Sequence, residues 1–137
     1  MIAVAECADA LYLVDVGATA EEDDLAGREP DGRVERPRPT ELVPEFISEL
    51  LVDVDASGPT VVVLVDRKPP LLVSHDAGAT WSERGAGLPP GRAVACGPNP
   101  DDVLYGGRNR LYVSRDGGRF WRALGIELPE IRDVAWG

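Results

Sequence analysis

Two cysteines, one histidine and one lysine are all that 137 residues contain of those types, and each scarcity closes a class of function. Cys7 and Cys96 are too few for a disulfide scaffold and lack the C-x-x-C spacing of metal or redox sites. Both fall in apolar strand-like patterns, where a free thiol behaves as a small buried hydrophobe. No apolar run approaches the ~20 residues of a membrane span. The opening residues Met1 to Cys7 lack a positive leader, and Glu6 and Asp9 interrupt the apolar stretch that a secretion signal needs. A cytoplasmic location with no membrane partner is expected. Positive charge is scarce too: 14 basic residues face 24 acidic ones, a net charge of -10, which argues against nucleic acid as a partner because phosphate binding needs a basic surface. Only Lys68 among the basic residues is lysine, and arginine dominance with an acid excess fits a halophilic source. A genome of biased base composition produces the same pattern, and net charge speaks to solubility rather than fold. No nucleophile elbow, Asp-rich metal loop or phosphate-cradling glycine motif occurs, and Gly106-Gly107 alone is too short a signal for one. No catalytic residue, cofactor or metal is assigned.

What is present is a repeat. Ser74-His75-Asp76-Ala77-Gly78-Ala79-Thr80-Trp81 returns forty positions later as Ser114-Arg115-Asp116-Gly117-Gly118-Arg119-Phe120-Trp121, both reading S-x-D-x-G-x-x-W. The same shift lays Val63 to Gly97 on Val103 to Gly137 without a gap, with 15 of 35 pairs identical. A forty-residue period carrying short β-type runs is the pattern of a four-stranded propeller blade. The expected fold is all-β, a partial β-propeller of about three four-stranded blades. Closed propellers use roughly four to eight blades, so three amount to half of a six-bladed ring. Either the chain belongs to a longer propeller or two copies complete one.

Alternation and turn residues place the strands. Leu51 to Ala56, Thr60 to Val65, Leu71 to Ser74 and Trp81 to Arg84 are strands a to d of one unit; Arg92 to Cys96, Val103 to Tyr105, Leu111 to Ser114 and Phe120 to Leu124 repeat the order. Ile2 to Glu6 reads as a strand b and Leu11 to Leu13 as a strand c, because Leu11-Tyr12 precedes Leu111-Tyr112 by one hundred residues. This first unit lacks a strand a, and Ile131 to Trp136 can supply it, within the chain or in a partner; such pairing also covers an exposed edge. The division expected is 1–16 with 131–137 as a composite blade, 17–46 as an acidic Pro-rich loop, and 47–88 and 89–125 as two blades with intact octets. Within the loop, Arg33 to Glu35 is a poor candidate for strand d, and Thr40 to Glu49 for a strand or one helical turn. Its Glu21 to Asp24 run reads as solvated loop rather than a metal or acid-base site.

Each octet has a structural rationale. After strand c the chain must reverse; Asp76 and Asp116 can accept turn N–H groups, and Gly78 and Gly118 permit positive φ. Trp81 and Trp121 return to cover apolar surface, about 150–250 Å² each. Ser74, Asp76, Gly78, Trp81, Ser114, Asp116, Gly118 and Trp121 are therefore structural residues. His75 holds a variable position at a turn and reads as an exposed loop histidine.

Both octets resemble Asp boxes, the BNR repeats of sialidases, sortilin-type receptors, photosystem II assembly factors and many bacterial and archaeal propellers. The resemblance covers Leu51 to Gly137 well and Met1 to Leu13 weakly. It implies a propeller fold but little about activity, because the motif decorates enzymes and binding scaffolds alike. A sialidase-like site, as that family implies, needs an arginine triad, a tyrosine nucleophile with a glutamate, and an aspartic acid; Tyr12, Tyr105 and Tyr112 all lie in strand patterns suited to packing. Strand direction places the b-c turns opposite the octets, so Arg67, Lys68, Arg108 and Arg110 form a candidate face for an anionic ligand or an acidic protein, with turn solvation as the plain alternative. The expected function is a non-catalytic binding scaffold that self-associates as a homodimer or joins a larger propeller; the alternative is a carbohydrate-active enzyme or lectin.

Overall fold

The computed structural model describes every residue from Met1 to Gly137 as an all-β chain of twelve strands in three four-stranded antiparallel sheets, none of which closes on itself. In chain order the strands are β1 (Ile2–Cys7), β2 (Ala10–Asp15), β3 (Asp24–Pro30), β4 (Leu51–Ser57), β5 (Thr60–Val65), β6 (Leu71–Ser74), β7 (Ser82–Arg84), β8 (Ala93–Cys96), β9 (Val103–Gly106), β10 (Arg110–Ser114), β11 (Arg122–Glu127) and β12 (Ile131–Trp136). The second sheet runs β4-β5-β6-β7 and the third β8-β9-β10-β11, each a meander of consecutive strands. The first is ordered β12-β1-β2-β3, so both chain ends meet inside it. Ala3 pairs with Trp136 and Ala5 with Val134, and the Gly137 N–H donates to the Ile2 carbonyl at 2.9 Å.

The pleat directs alternate residues of β1 and β2 to one face, and a register shift in β12 keeps Ile131 and Val134 opposite Cys7 and Ala5. Ala3, Ala5, Cys7, Tyr12, Val14, Ile131 and Val134 turn toward Ala93, Ala95, Leu104, Leu111, Val113 and Leu124 of the third sheet and form the largest apolar core. Small residues let these sheets approach closely. A Cβ on Gly106 would stand 2.9 Å from Val134 and 3.2 Å from Ile131, so β9 and β12 meet where only glycine fits. The other face of the third sheet packs Val94, Val103 and Tyr105 against Val62, Leu64, Leu71 and Val73 of the second. The third sheet thus lies between the other two. The outer face of the second sheet, Val54, Val61, Val63, Val65 and Leu72, is closed by Leu42, Val43 and Ile47, carried on two short 3-10 turns at Thr40–Leu42 and Glu45–Leu50.

The segment 17–46 departs from the expected loop. It contains β3, which pairs with β2 from Ala10 opposite Pro30 to Asp15 opposite Asp24. Its side chains are mostly exposed, so no apolar alternation marks it, and its proline is tolerated because β3 is an edge strand. Arg33 to Glu35 lies outside any strand. Thr40 to Glu49 forms the 3-10 turns rather than a strand. Further along, Trp81, Arg92, Phe120 and Trp121 fall just outside the strands expected to hold them, and β11 runs on to Glu127. No helix is long and apolar enough to cross a membrane.

Ile131 is fully buried in the largest core, whereas its neighbour Arg132 is exposed. Replacing Ile131 by Ala is expected to cost about 2–5 kcal/mol through the cavity it leaves, and Arg132→Ala less than about 0.5 kcal/mol. Urea unfolding of the two variants measures the contrast.

Candidate functional site

Both octets fold into the same corner. The Ser74 hydroxyl donates to Asp76 Oδ1 at 2.7 Å and accepts the Gly78 N–H at 2.8 Å; Ser114 does the same with Asp116 and Gly118 at the same distances. Asp76 accepts the Thr80 N–H at 2.9 Å and the Thr80 hydroxyl at 2.6 Å, while Asp116 accepts the N–H groups of Arg119 and Phe120. Gly78 and Gly118 have φ of 91° and 93°, the left-handed region that the reversal requires. Trp81 then reaches the outer core of the second sheet and Trp121 the core between second and third, where its ring meets Tyr105 edge-on at 5.8 Å. The hydrogen bonds from Thr80 and then from Ser74 pull the Asp76 carboxyl down to about 2. Asp116 is lowered as well, first by the Phe120 N–H. These side chains are spent on the corner.

The four cations expected on one face are not gathered at a common cleft. Arg67 and Lys68 are exposed beside a cleft of about 200 Å³ with Val52, Pro70, Leu88 and Pro89. Neither Arg108 nor Arg110 lines it. Arg110 donates to the Leu124 carbonyl at 2.9 Å and stands 3.9 Å from Glu127, while the carbonyls of Arg108 and Asn109 accept the N–H groups of Ile131 and Leu128. That turn is fastened to the connection preceding β12. His75 is exposed, with Nδ1 3.1 Å from the Thr60 hydroxyl.

Other reactive side chains are held inert. Burial, followed by the nearby Asp9 carboxylate, raises the Cys7 thiol to about 11; burial and then Asp55 raise Cys96 to about 12. Thiolate, the nucleophilic form, is therefore negligible at neutral pH. Tyr105 is fully buried, donates to the Pro89 carbonyl at 2.6 Å, and burial raises its phenol further.

One ionic cluster has no counterpart in the expected sites. Arg36, from the segment after β3, lies between β4 of the second sheet and β12 of the first. Its side chain is only 9% exposed. Nε donates to the Val134 carbonyl at 3.0 Å, Nη1 to the Val54 carbonyl at 3.2 Å, and Nη2 to Asp53 at 2.5 Å and Asp133 at 3.1 Å. Arg38 adds contacts to the same two carboxylates. Asp53 also accepts the Val94 N–H at 3.0 Å, and Asp55 the Cys96 N–H at 2.8 Å. Carboxylates of β4 thus satisfy N–H groups on the edge of β8, and one guanidinium satisfies carbonyls of β4 and β12. Burial leaves the Asp55 carboxyl raised despite these bonds. The repeat carried a signal for this cluster: two successive forty-residue shifts carry Asp53 through Ala93 to Asp133.

A further feature lies at the octet end of the first and third sheets. Met1, Val16, Gly17, Ala18, Val113, Arg115, Asp116, Phe120, Trp121 and Arg122 line an open groove of about 790 Å³. Here the first sheet's corner follows another plan. Val14 pairs with Ala3 as Ser114 pairs with Val103, so the hundred-residue offset holds in space and puts Val16 where Asp116 stands. Asp23 organises this corner instead: it accepts the Gly17 N–H at 2.8 Å, the Gly125 N–H at 2.9 Å and two bonds from Arg122. Burial raises the Asp23 carboxyl, but Arg122 and the two N–H groups outweigh it and the net shift is downward. No known protein family and no curated protein matches the chain.

Removing Arg36 leaves Asp53 and Asp133 with the more exposed Arg38 as their cation and takes the donor from the Val54 and Val134 carbonyls, so Arg36→Ala is expected to cost about 3–5 kcal/mol, as for other broken buried pairs, measured by urea unfolding. The octet carboxyls lie below the unfolded value of about 3.9, so their stabilisation is complete above that pH and is lost as pH falls toward about 2. Asp55, shifted upward, opposes the trend. Unfolding midpoints should fall across that window, and by less in the Asp76→Asn/Asp116→Asn variant.

Proposed function

We propose that this chain is a short Asp-box β-propeller, a non-catalytic binding scaffold whose three sheets are blades and whose ring is completed by a second copy. The observation that carries the reading is the order of the sheets. Each begins at β4, β8 or β12; Arg36 bonds to β4 and β12, Asp53 of β4 bonds to β8, and the two intact octets occupy equivalent corners. The stack ends in two faces that lack a neighbouring sheet. On one, Ile2, Val4 and Leu13 of the first sheet are only half-buried; on the other flank Phe46, Leu50 and Val52 are 75, 40 and 42% exposed. Apolar side chains at both ends of an unclosed stack support a two-fold assembly. The acid excess suits solubility more than nucleic-acid binding, and a cytoplasmic setting is part of the reading.

The native mass tests it. Light scattering is expected to give twice 14.7 kDa, and Val4→Arg to return the particle to 14.7 kDa with its circular dichroism intact. A folded wild-type monomer at every concentration overturns the self-association. A carbohydrate-binding role is the second reading, favoured by the exposed Phe120 beside Trp121, and a glycan array separates the two.

A further inference from the structure

We propose that the groove between the first and third sheets is a binding site for a small amphiphile with a flat apolar body and one anionic head. The first sheet has no octet. Trp81 and Trp121 each cover the apolar space beside their own sheet. Counting back one hundred residues, the position equivalent to Trp121 is Glu21, which is exposed on the short 3-10 turn Ala20–Glu22. No indole covers this space from the first sheet. The groove is left open over Val16, Val113 and Met1, with Phe120 79% exposed at its side. Its volume of about 790 Å³ lies in the ~300–1,000 Å³ range of small-molecule sites.

The charged groups lining the groove select the head. Arg122 is committed to Asp23 and to the Gly17 carbonyl. Asp116 is turned into its corner, accepting from Ser114, Arg119 and Phe120. Arg115 is exposed, lines the groove, and has no ion pair or hydrogen bond. A lone guanidinium beside an apolar, aromatic-rimmed space pairs with a carboxylate, sulfonate or phosphate head while the rings cover an apolar body.

The test titrates naphthalene-2-sulfonate and the neutral 2-naphthalenemethanol into the full chain, followed by calorimetry and by the NMR signal of the Trp121 indole. The sulfonate is expected to saturate one site per chain with a Kd of about 1 mM or tighter, the scale for a ligand of this size, and the neutral analogue to bind at least about tenfold more weakly. Arg115→Gln should remove that preference, and Phe120→Ser should weaken both probes. Both residues are exposed, so the variants keep the fold, which near-ultraviolet circular dichroism verifies. Absence of saturation, equal affinity for the two probes, or an Arg115→Gln variant that binds the sulfonate as tightly as wild type overturns the proposal.

Discussion

The pairing of the last strand with the first is the constraint on which the rest depends. β12 supplies the fourth strand that the first sheet lacks in sequence order, and with it Ile131 and Val134, both fully buried between the first and third sheets. It also sets Asp133 and the Val134 carbonyl within reach of Arg36. Without it, β1 would present an unpaired edge, and the largest apolar cluster would be open on one side. A contact between residues more than a hundred positions apart thus secures local elements that cannot bury their own faces.

The edges at β4, β8 and β12 pose a second problem, solved with charge. Strands β4, β8 and β12 are each the edge of a sheet, and in a crowded interior their outward N–H and C=O groups need partners. Asp53 and Asp55 accept from β8; Arg36 donates to β4 and β12. Taking these charges out of water is costly, and the expense is offset only because nearly every polar atom finds a partner. An acidic chain keeps one arginine almost fully buried here, and its role is to hold separate sheets together.

The corners divide along similar lines. Where serine and aspartate are present, as at Ser74-Asp76 and Ser114-Asp116, the turn is self-contained and delivers a tryptophan onto apolar surface. In the first sheet Val16 cannot accept an N–H group, and Asp23 takes over by reaching across to Arg122 and Gly125 of the third sheet. The substitute corner is a staple between sheets rather than a lid, and the groove above Val16 and Val113 is the space it does not fill.

Much of this was legible from residue order, because the relevant physics is short-ranged. Period-two alternation and turn residues mark eleven of the twelve strands, and the octet bonds join groups no more than four residues apart, so Asp76 and Asp116 take their parts whatever surrounds them. β3 escaped because backbone hydrogen bonds hold it while its side chains face solvent. Arg36 lay in a segment without periodicity, and its partners arrive from β4 and β12. Strand direction assigns the four turn cations to one face but not their partners: Arg110 donates to the Leu124 carbonyl. The amino-acid order by itself determined the repeat, the strands that bury side chains and the shape of two corners, since neighbours along the chain decide each of these. Only the tertiary structure decided which strand completes the first sheet, where the buried charges meet and which corner is left uncovered, because those depend on groups brought together from distant parts of the chain.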